Sequence, residues 1–365
     1  MDIALITYPA DIDPTGVGVN VQNIVEKLIE LDKQNSYYLL HFKKCGNPIY
    51  KKNEILYHHY KYLPVMFSDS MYLRNNPRRF DIVHRFSPGG FIFPIHSKIV
   101  VTVNDLFLYK SYGFNKNLKI MFARYFNRKS ILKSDAVVAI SEFTRNEILN
   151  TFPVDPRKVH IVHCASQIFT QPINTDPKFL NRIYGMDKKY ILFVSTIEPR
   201  KNLLNLLKAY EILKEKFSID ESLVIVGKKG WDYKQTLNYI EKSNHRPSIK
   251  YIGFVPSNHL MCFYSNASIF VYPSFMEGFG IPPLEAMSCG CPTLTSNTSS
   301  LPEVMVFPEM MFDPDNVDEI VDKCFRILSD SKARQDNIRK GYENTGRFSW
   351  RKSAEKLVEI YNSLH

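Results

Sequence analysis

Apolar residues along this chain come in short runs separated by stretches of helical periodicity. Ile3 to Tyr8 reads as a strand, followed by a loop and a helix from about Val19 to Leu31. Tyr37–Phe42, Ile82–Val83, Ile99–Val103, Ala136–Ile140 and Val159–Val162 are further runs of strand length, with helical stretches at Lys116–Leu132 and Glu142–Asn150 between them. A polar, proline-bearing stretch from Gln167 to Lys178 interrupts the pattern and reads as a linker. The pattern then restarts. Ile191–Ser195, Leu223–Val226, Ile249–Phe254, Ile269–Tyr272 and Pro292–Thr295 read as strands, and Leu203–Lys216 and Trp231–Ser243 as helices. Strands alternating with helices predict an α/β protein with parallel sheets covered on both faces.

Two such halves predict two domains, residues 1–168 and 169–350, with a cleft between them lined by the C-terminal ends of strands. Ligands of open α/β sheets bind at those ends. The last segment, about 351–365, places Ala354, Leu357, Val358 and Tyr361 at helical spacing and must dock on a domain, the N-terminal one being the candidate.

Composition narrows the class. With 365 residues, 44% hydrophobic and 13% aromatic, the chain is long and apolar enough for two cores and too apolar for disorder. No run approaches eighteen consecutive apolar residues, so no membrane-spanning helix is expected, and the N-terminus does not read as a signal peptide. The six cysteines form no CxxC pair and read as reduced, mostly buried thiols of a cytosolic protein. Asp313-Pro-Asp315 reads as a turn and helix cap, and Asp11-Ile-Asp13 as loop polarity. With no histidine–cysteine cluster either, no metal is expected.

The net charge of +10 is unevenly distributed. The quarter from Lys43 to Lys133 carries +13, leaving −3 for the remainder, so the N-terminal half is built to meet something anionic. Within it, Leu118, Met121, Phe122, Tyr125 and Phe126 form a helical stripe, with Lys119, Arg124, Arg128, Lys129 and Lys133 largely off it. Such a helix buries its stripe against the sheet, lies on an anionic membrane surface, or does both in part, with the stripe inward and the bases still attracting lipid. Tyr57-His-His-Tyr60, Tyr62 and Tyr72-Leu-Arg-Asn-Asn-Pro-Arg-Arg79 add aromatics and bases in loops that would suit a phosphorylated acceptor.

The most informative segment is Pro273-Ser-Phe-Met-Glu277-Gly-Phe-Gly280-Ile-Pro-Pro-Leu-Glu285-Ala-Met-Ser-Cys-Gly290. A strand ends at Tyr272, a glycine-bearing loop follows, and Pro282-Pro283 pre-set a helix start. Gly278 and Gly280 let backbone amides approach a ligand at a helix N-terminus, a suitable seat for a diphosphate. On spacing alone, a plain strand–loop–helix is an equal reading.

This segment resembles the Glu-x7-Glu motif of retaining GT-B glycosyltransferases, in particular the large family often labelled family 4. Phe193-Val-Ser-Thr-Ile-Glu-Pro-Arg200-Lys201-Asn202, Leu223-Val-Ile-Val-Gly-Lys-Lys-Gly-Trp231, Tyr251-Ile-Gly-Phe-Val-Pro256, Leu301-Pro-Glu303 and Phe348-Ser-Trp350 also fit that family. Thr15-Gly16-Val17-Gly18, Thr102-Val-Asn-Asp-Leu106 and Ala139-Ile-Ser-Glu-Phe143 fit it more loosely. The resemblance implies the GT-B fold, two Rossmann-like domains facing each other across a cleft, with a nucleotide-diphosphate sugar as substrate and neither cofactor nor metal.

It also implies roles. Lys201, with Arg200 beside it, would bind the donor diphosphate, where a cation neutralises the charge of the leaving group. Glu277 would lie near the transferred sugar, and Glu285 would hold the ribose hydroxyls. Gly278, Phe279 and Gly280 would line the phosphate seat, Phe254 and Val255 would meet the nucleobase partly through backbone, and Gly16 and Gly18 would close over the phosphates. On the acceptor side the candidates are Asn104 and Asp105, together with His84, which its place at the end of Asp81-Ile-Val suggests and for which a structural role is the commoner reading. Relatives commonly carry His-Asp where Asn104-Asp105 stands, and an amide cannot shuttle a proton.

The expected function is transfer of a hexose, with a lean toward mannose from GDP-mannose, to an anionic lipid-linked or polysaccharide acceptor in cell-surface glycan synthesis. The expected place is the cytoplasmic face of the inner membrane, held peripherally. The alternatives are a basic nucleic-acid-binding module, against which no nucleic-acid motif is found, and a nucleotide-sugar epimerase on the same fold.

Overall fold

A computed structural model describes residues 1–7, 16–42, 54–57, 65–89, 95–110, 118–166 and 176–365, with Val65 and Met66 by backbone alone. The chain divides into two units, Met1–Cys164 with Ser349–His365, and Ala165–Phe348.

In the first unit the strands are β1 (Asp2–Ile6), β2 (Ser36–His41), β3 (Glu54–Leu56), β4 (Ile82–Arg85), β5 (Lys98–Val103), β6 (Ala136–Ala139) and β7 (Val159–Ile161). Among the described residues they form one parallel sheet in the order β3-β2-β1-β4-β5-β6-β7, with Ile3 opposite Tyr37 on one side and Ile82 on the other. Ile3, Leu5, Val83, Val101 and Val137 are fully buried, because helices cover both faces of the sheet. The helices are α1 (Val17–Leu31), α2 (Val65–Asn75), α3 (Leu118–Lys133) and α4 (Glu142–Thr151), the last capped by Ser141, whose side chain accepts from the Thr144 amide at 2.9 Å.

The second unit holds β8 (Tyr190–Val194), β9 (Ser222–Val226), β10 (Ile249–Gly253), β11 (Ile269–Tyr272), β12 (Thr293–Ser296) and β13 (Met311–Phe312), again parallel, in the order β10-β9-β8-β11-β12-β13. Its helices are α5 (Pro177–Tyr184), α6 (Leu203–Phe217), α7 (Lys234–Lys242), α8 (Ser257–Asn266), α9 (Ile281–Ser288), α10 (Leu301–Val304), α11 (Val317–Ser329) and α12 (Ser331–Thr345). One face of the sheet packs Ile191, Phe193, Ile225 and Val271 against α6 and α11. The other packs Leu192, Val224, Phe270 and Tyr272 against α8 and α9. In each sheet the strand order reverses once, between β1 and β4 and between β8 and β11. The loops that leave such a pair diverge and open a crevice.

The final helix, α13 (Trp350–Ser363), belongs to the first unit. Ser349 caps it by accepting from the Lys352 amide at 3.2 Å. It packs on α1 and buries Ala354, Leu357, Ile360 and Tyr361. The Ser353 hydroxyl donates to the His163 carbonyl at 2.6 Å, fixing the chain end to a segment 190 residues earlier.

Two expectations change. Pro177 and Lys178 open α5 behind an Asp176 cap instead of continuing a linker, while residues 167–175 lie outside the described residues. The apolar stripe of α3 faces outward: Leu118 is 80% exposed, Met121 53%, Phe122 46% and Tyr125 62%. The inward face carries the partly buried Ile120, Ala123, Arg124 and Asn127, with Arg124 Nε donating to the Leu108 carbonyl at 2.6 Å, so full burial begins only at Ser130 and Ile131.

The sequence has two tryptophans, Trp350 in the first unit and Trp231 in the second. In a Trp231→Phe background, urea unfolding followed by Trp350 fluorescence reads the first unit. Leu357→Ala, which empties a fully packed position under α13, is expected to cost it about 2–5 kcal/mol.

Candidate active site

The reversal between β8 and β11 brings two loops together. After β8 the chain makes a short 3-10 turn, Pro199–Lys201, and Asn202 follows with φ of 55°. That left-handed residue is held by its side chain, which donates to the carbonyls of Pro273 (3.1 Å) and Pro314 (2.8 Å). The turn sends Lys201 inward. It is 6% exposed, with Nζ 2.6 Å from Glu277 Oε1 and 3.3 Å from the Tyr272 hydroxyl. Arg200 completes the cluster: Nε lies 2.5 Å from Glu198, and the guanidinium donates to the Met276 carbonyl at 3.0 Å and sits 3.6 Å from Glu277 Oε2.

Burial alone would push the Glu277 carboxyl up, but Lys201 and Arg200 outweigh it and hold it below the usual glutamate value. Burial likewise draws Lys201 below an ordinary lysine, with Glu277 opposing that pull. An ammonium carries three donors. Glu277 and Tyr272 account for two, which leaves one for a ligand oxygen.

The loop that carries Glu277 is braced from below by the residues after β12. The Glu277 amide donates to Ser299 Oγ at 3.0 Å, the Ser300 hydroxyl bridges the carbonyls of Glu277 (3.0 Å) and Phe279 (2.8 Å), and the Thr298 hydroxyl reaches the Phe275 carbonyl at 3.1 Å. The sequence reading missed these three residues. Their signal is the hydroxyl-rich run Ser296–Ser300 directly after a strand. Gly280, with φ of 118°, has no room for a side chain, since a Cβ there would sit 2.7 Å from Leu301 Cδ2. It opens α9, and Glu285 one turn on accepts from the Tyr264 hydroxyl at 3.0 Å. Burial pushes the Glu285 carboxyl up to about 7, with the Tyr264 hydrogen bond opposing.

The other candidates divide by environment. Phe279 is 2% exposed and meets Phe348 edge-on at 5.3 Å, and Val255 is in the core, so either can reach a ligand only through its backbone. Phe254 is 48% exposed at the end of β10. In the first unit, Gly16 (φ 56°) precedes α1 and Gly18 is buried in its first turn, so the pair is a helix start and not an extended loop. The Asn104 amide donates to the Phe86 carbonyl at 3.0 Å, and Asp105 accepts from the Phe107 amide at 3.0 Å, capping the next turn.

His84 is corrected from acceptor contact to core residue. It is fully buried, one ring nitrogen lies 2.5 Å from the Tyr361 hydroxyl and the other 2.8 Å from Thr102 Oγ1, and burial lowers it to about 3, which keeps it neutral. The Asp313–Asp315 turn forms as expected, with the Asp315 amide on Asp313 Oδ1 at 2.9 Å, but the cap of α11 is Asn316, which accepts from the Glu319 amide at 3.1 Å. Asp11, Asp13, Thr15, His58, His59, Tyr60 and Tyr62 lie outside the described residues.

Comparison with known proteins agrees with this arrangement. Residues 180–344 match the family model of glycosyl transferases group 1, and residues 15–165 match that of glycosyltransferase family 4. The chain is 30% identical over 269 residues to the O-antigen chain mannosyltransferase B of Escherichia coli, covering 73% of this chain and 71% of that one. It is also 30% identical over 237 residues to the serotype-specific mannosyltransferase WbdA of Escherichia coli, spanning 64% of this chain but only 29% of that much longer protein. Among solved structures, the sucrose-phosphate synthase of Thermosynechococcus elongatus superposes with a TM-score of 0.79 at 17% identity, covering 100% of this chain and 99% of the other. HepE of Anabaena, in complex with UDP and glucose, gives 0.77 at 14%, with both chains covered in full. Two parallel, helix-covered sheets and these matches define a GT-B protein. The chain belongs to the group 1 glycosyltransferases and is a glycosyltransferase.

The raised Glu285 carboxyl has a consequence for stability. A group whose folded value exceeds its ordinary 4.5 stabilises fully below that value and loses the contribution as pH rises through about 7. Glu285→Gln is therefore expected to match wild type at pH 4 and to be more stable at pH 8 by up to about 3 kcal/mol, read from denaturant unfolding across that range.

Proposed function

We propose that the protein transfers a hexose, with retention of anomeric configuration, from a nucleotide sugar to an anionic lipid-linked or polysaccharide acceptor in cell-surface glycan synthesis. The observation that carries this reading is the buried Lys201–Glu277–Arg200 cluster, set where the strand order of the second sheet reverses and followed by the Gly278–Gly280 loop and the start of α9. Mannose is the favoured sugar, because the two relatives described above are named as mannosyltransferases, and GDP-mannose is the donor proposed with it.

Chemically, the reaction breaks the bond between the sugar C1 and the leaving phosphate oxygen while the acceptor oxygen bonds C1 on the same face. The acceptor proton passes to the departing phosphate, so no enzymic nucleophile is required. Lys201, Arg200 and the loop amides stabilise the charge that develops on the diphosphate, in place of a metal. Glu277, fixed as a carboxylate by the two cations, orients the sugar hydroxyls, and Glu285 takes the ribose hydroxyls.

The test uses isosteric changes. Glu277→Gln and Lys201→Met should each lower sugar transfer at least about 100-fold, measured below the reduced unfolding midpoint that loss of one partner brings, where the circular dichroism spectrum is still native. Wild-type turnover in either variant would sink the assignment.

Binding to the cytoplasmic face of a membrane is the second part of the proposal. Its support is the outward stripe Leu118, Met121, Phe122 and Tyr125, flanked by Lys119, Arg128, Lys129 and Lys133 on the same helix. Each base near an anionic surface contributes about 1 kcal/mol. Wild type should pellet with phosphatidylglycerol vesicles at low salt, and Phe122→Ser/Tyr125→Ser should remain in the supernatant. Equal pelleting of the two proteins would rule out insertion of this face.

A further inference from the structure

We propose that Tyr272 is a positioning residue for the transfer reaction: its hydroxyl gives the Lys201 ammonium a second anchor and so aims the remaining N–H at the diphosphate, a proposal that rests on the nucleotide-sugar reading above. A lysine carries its charge on a flexible four-carbon stem. Held by Glu277 Oε1 alone, at 2.6 Å, Nζ would pivot about that oxygen. The Tyr272 hydroxyl accepts from Nζ at 3.3 Å and fixes it at a second point, and the Tyr272 ring centroid lies 5.7 Å from the same nitrogen. Two of the three ammonium donors are then directed by buried groups, and tetrahedral geometry sets the third.

Tyr272 can anchor because the fold leaves it no freedom. It ends β11, opposite Thr295 of β12, and is 1% exposed. Its ring stacks at 5.8 Å on Phe270, two residues back on the same face of the strand, and the Tyr264 ring meets Phe270 edge-on at 5.5 Å. Burial above all, then the Glu277 charge, raises the phenol well above its ordinary value, so it stays neutral beside the ion pair. A phenylalanine would keep this stack, but the buried Nζ would lose an acceptor. The ring serves the core; the hydroxyl serves Lys201.

The charge of Lys201 depends on the same contact. Glu277, Arg200 and Glu198 face the ammonium, and Glu277, Arg200, Ser195 and Tyr264 face the phenol. Tyr272→Phe leaves all of these groups in place. Removing an acceptor from an ammonium disfavours its charged form, so in the variant Lys201 gives up its proton at lower pH than in wild type.

The experiment is calorimetric titration of the full chain with GDP, UDP and dTDP and with the matching monophosphates, between about pH 7 and 10. The ratio of diphosphate to monophosphate affinity cancels the titration of the base itself. Wild type is compared with Tyr272→Phe and with a control, Tyr210→Phe. Tyr210 is a fully buried phenol of the same unit, and its hydroxyl bonds the Glu221 carbonyl (3.1 Å) and Ser248 Oγ (2.8 Å) just before β9 and β10, at the far edge of the sheet. For the nucleotide that wild type prefers, Tyr272→Phe should cut the diphosphate advantage at least about threefold near neutral pH, with the monophosphate bound within about twofold of wild type. What advantage remains should fall away at lower pH than in wild type, and Tyr210→Phe should match wild type in both respects. An equal loss of diphosphate and monophosphate affinity, a pH dependence superimposable on that of wild type, or the same losses in Tyr210→Phe overturns the positioning role. Binding of none of the nucleotides by wild type overturns both this and the nucleotide-sugar reading, whereas a wild-type advantage that Tyr272→Phe retains overturns this alone.

Discussion

The ion pair between Lys201 and Glu277 is the constraint on which the second unit turns. Two opposite charges withdrawn from water cost several kcal/mol each unless geometry returns the loss, and a pair stripped of one partner is strongly destabilising. The surroundings are built accordingly. Asn202 pins the turn that delivers Lys201, the Thr298–Ser300 hydroxyls hold the loop that delivers Glu277, and Arg200 answers the second carboxylate oxygen. Glycines 227, 230 and 280 keep side chains out of the space these loops need. What results is a fixed carboxylate beside two cations, at the edge of a parallel sheet where its strand order reverses. Electrostatic preorganisation of this kind is what departure of a diphosphate requires.

Much of this was legible in the sequence because it depends on local pattern. Alternating apolar runs and helical stretches located the central strands of both sheets. The short edge strands β3 and β13 were not anticipated, since two or three residues carry no periodicity. The Glu277–Glu285 segment and Arg200-Lys201 announced a site through resemblance, but nothing in the spacing indicated that Lys201 would touch Glu277, 76 residues away. The hydroxyl-rich run that holds Thr298, Ser299 and Ser300 was visible, but not its bracing role: their partners are backbone carbonyls and an amide brought near by tertiary folding. His84 misled because a histidine at a strand end resembles a ligand until its neighbours are known. Tyr361, which fixes it, comes from the far end of the chain.

Charge and hydrophobicity in the first unit also needed the structure for their meaning. The sequence left the α3 stripe with two destinations, the sheet or a lipid surface. Its outward orientation, with the helix docked through Arg124 and Ile131 instead, removes the first. Five of the seventeen bases between Lys43 and Lys133 lie on the helix that carries the exposed apolar face.

The central claim is that the second unit seats a diphosphate at Lys201. The most direct measurement compares the affinity of nucleoside diphosphates with that of the matching monophosphates in wild type and in Lys201→Met. The account predicts that the preferred diphosphate binds wild type at least about tenfold tighter than its monophosphate, and that the variant loses this advantage while still binding the monophosphate. Equal affinity for the two in wild type, or an advantage that survives in Lys201→Met, would contradict it.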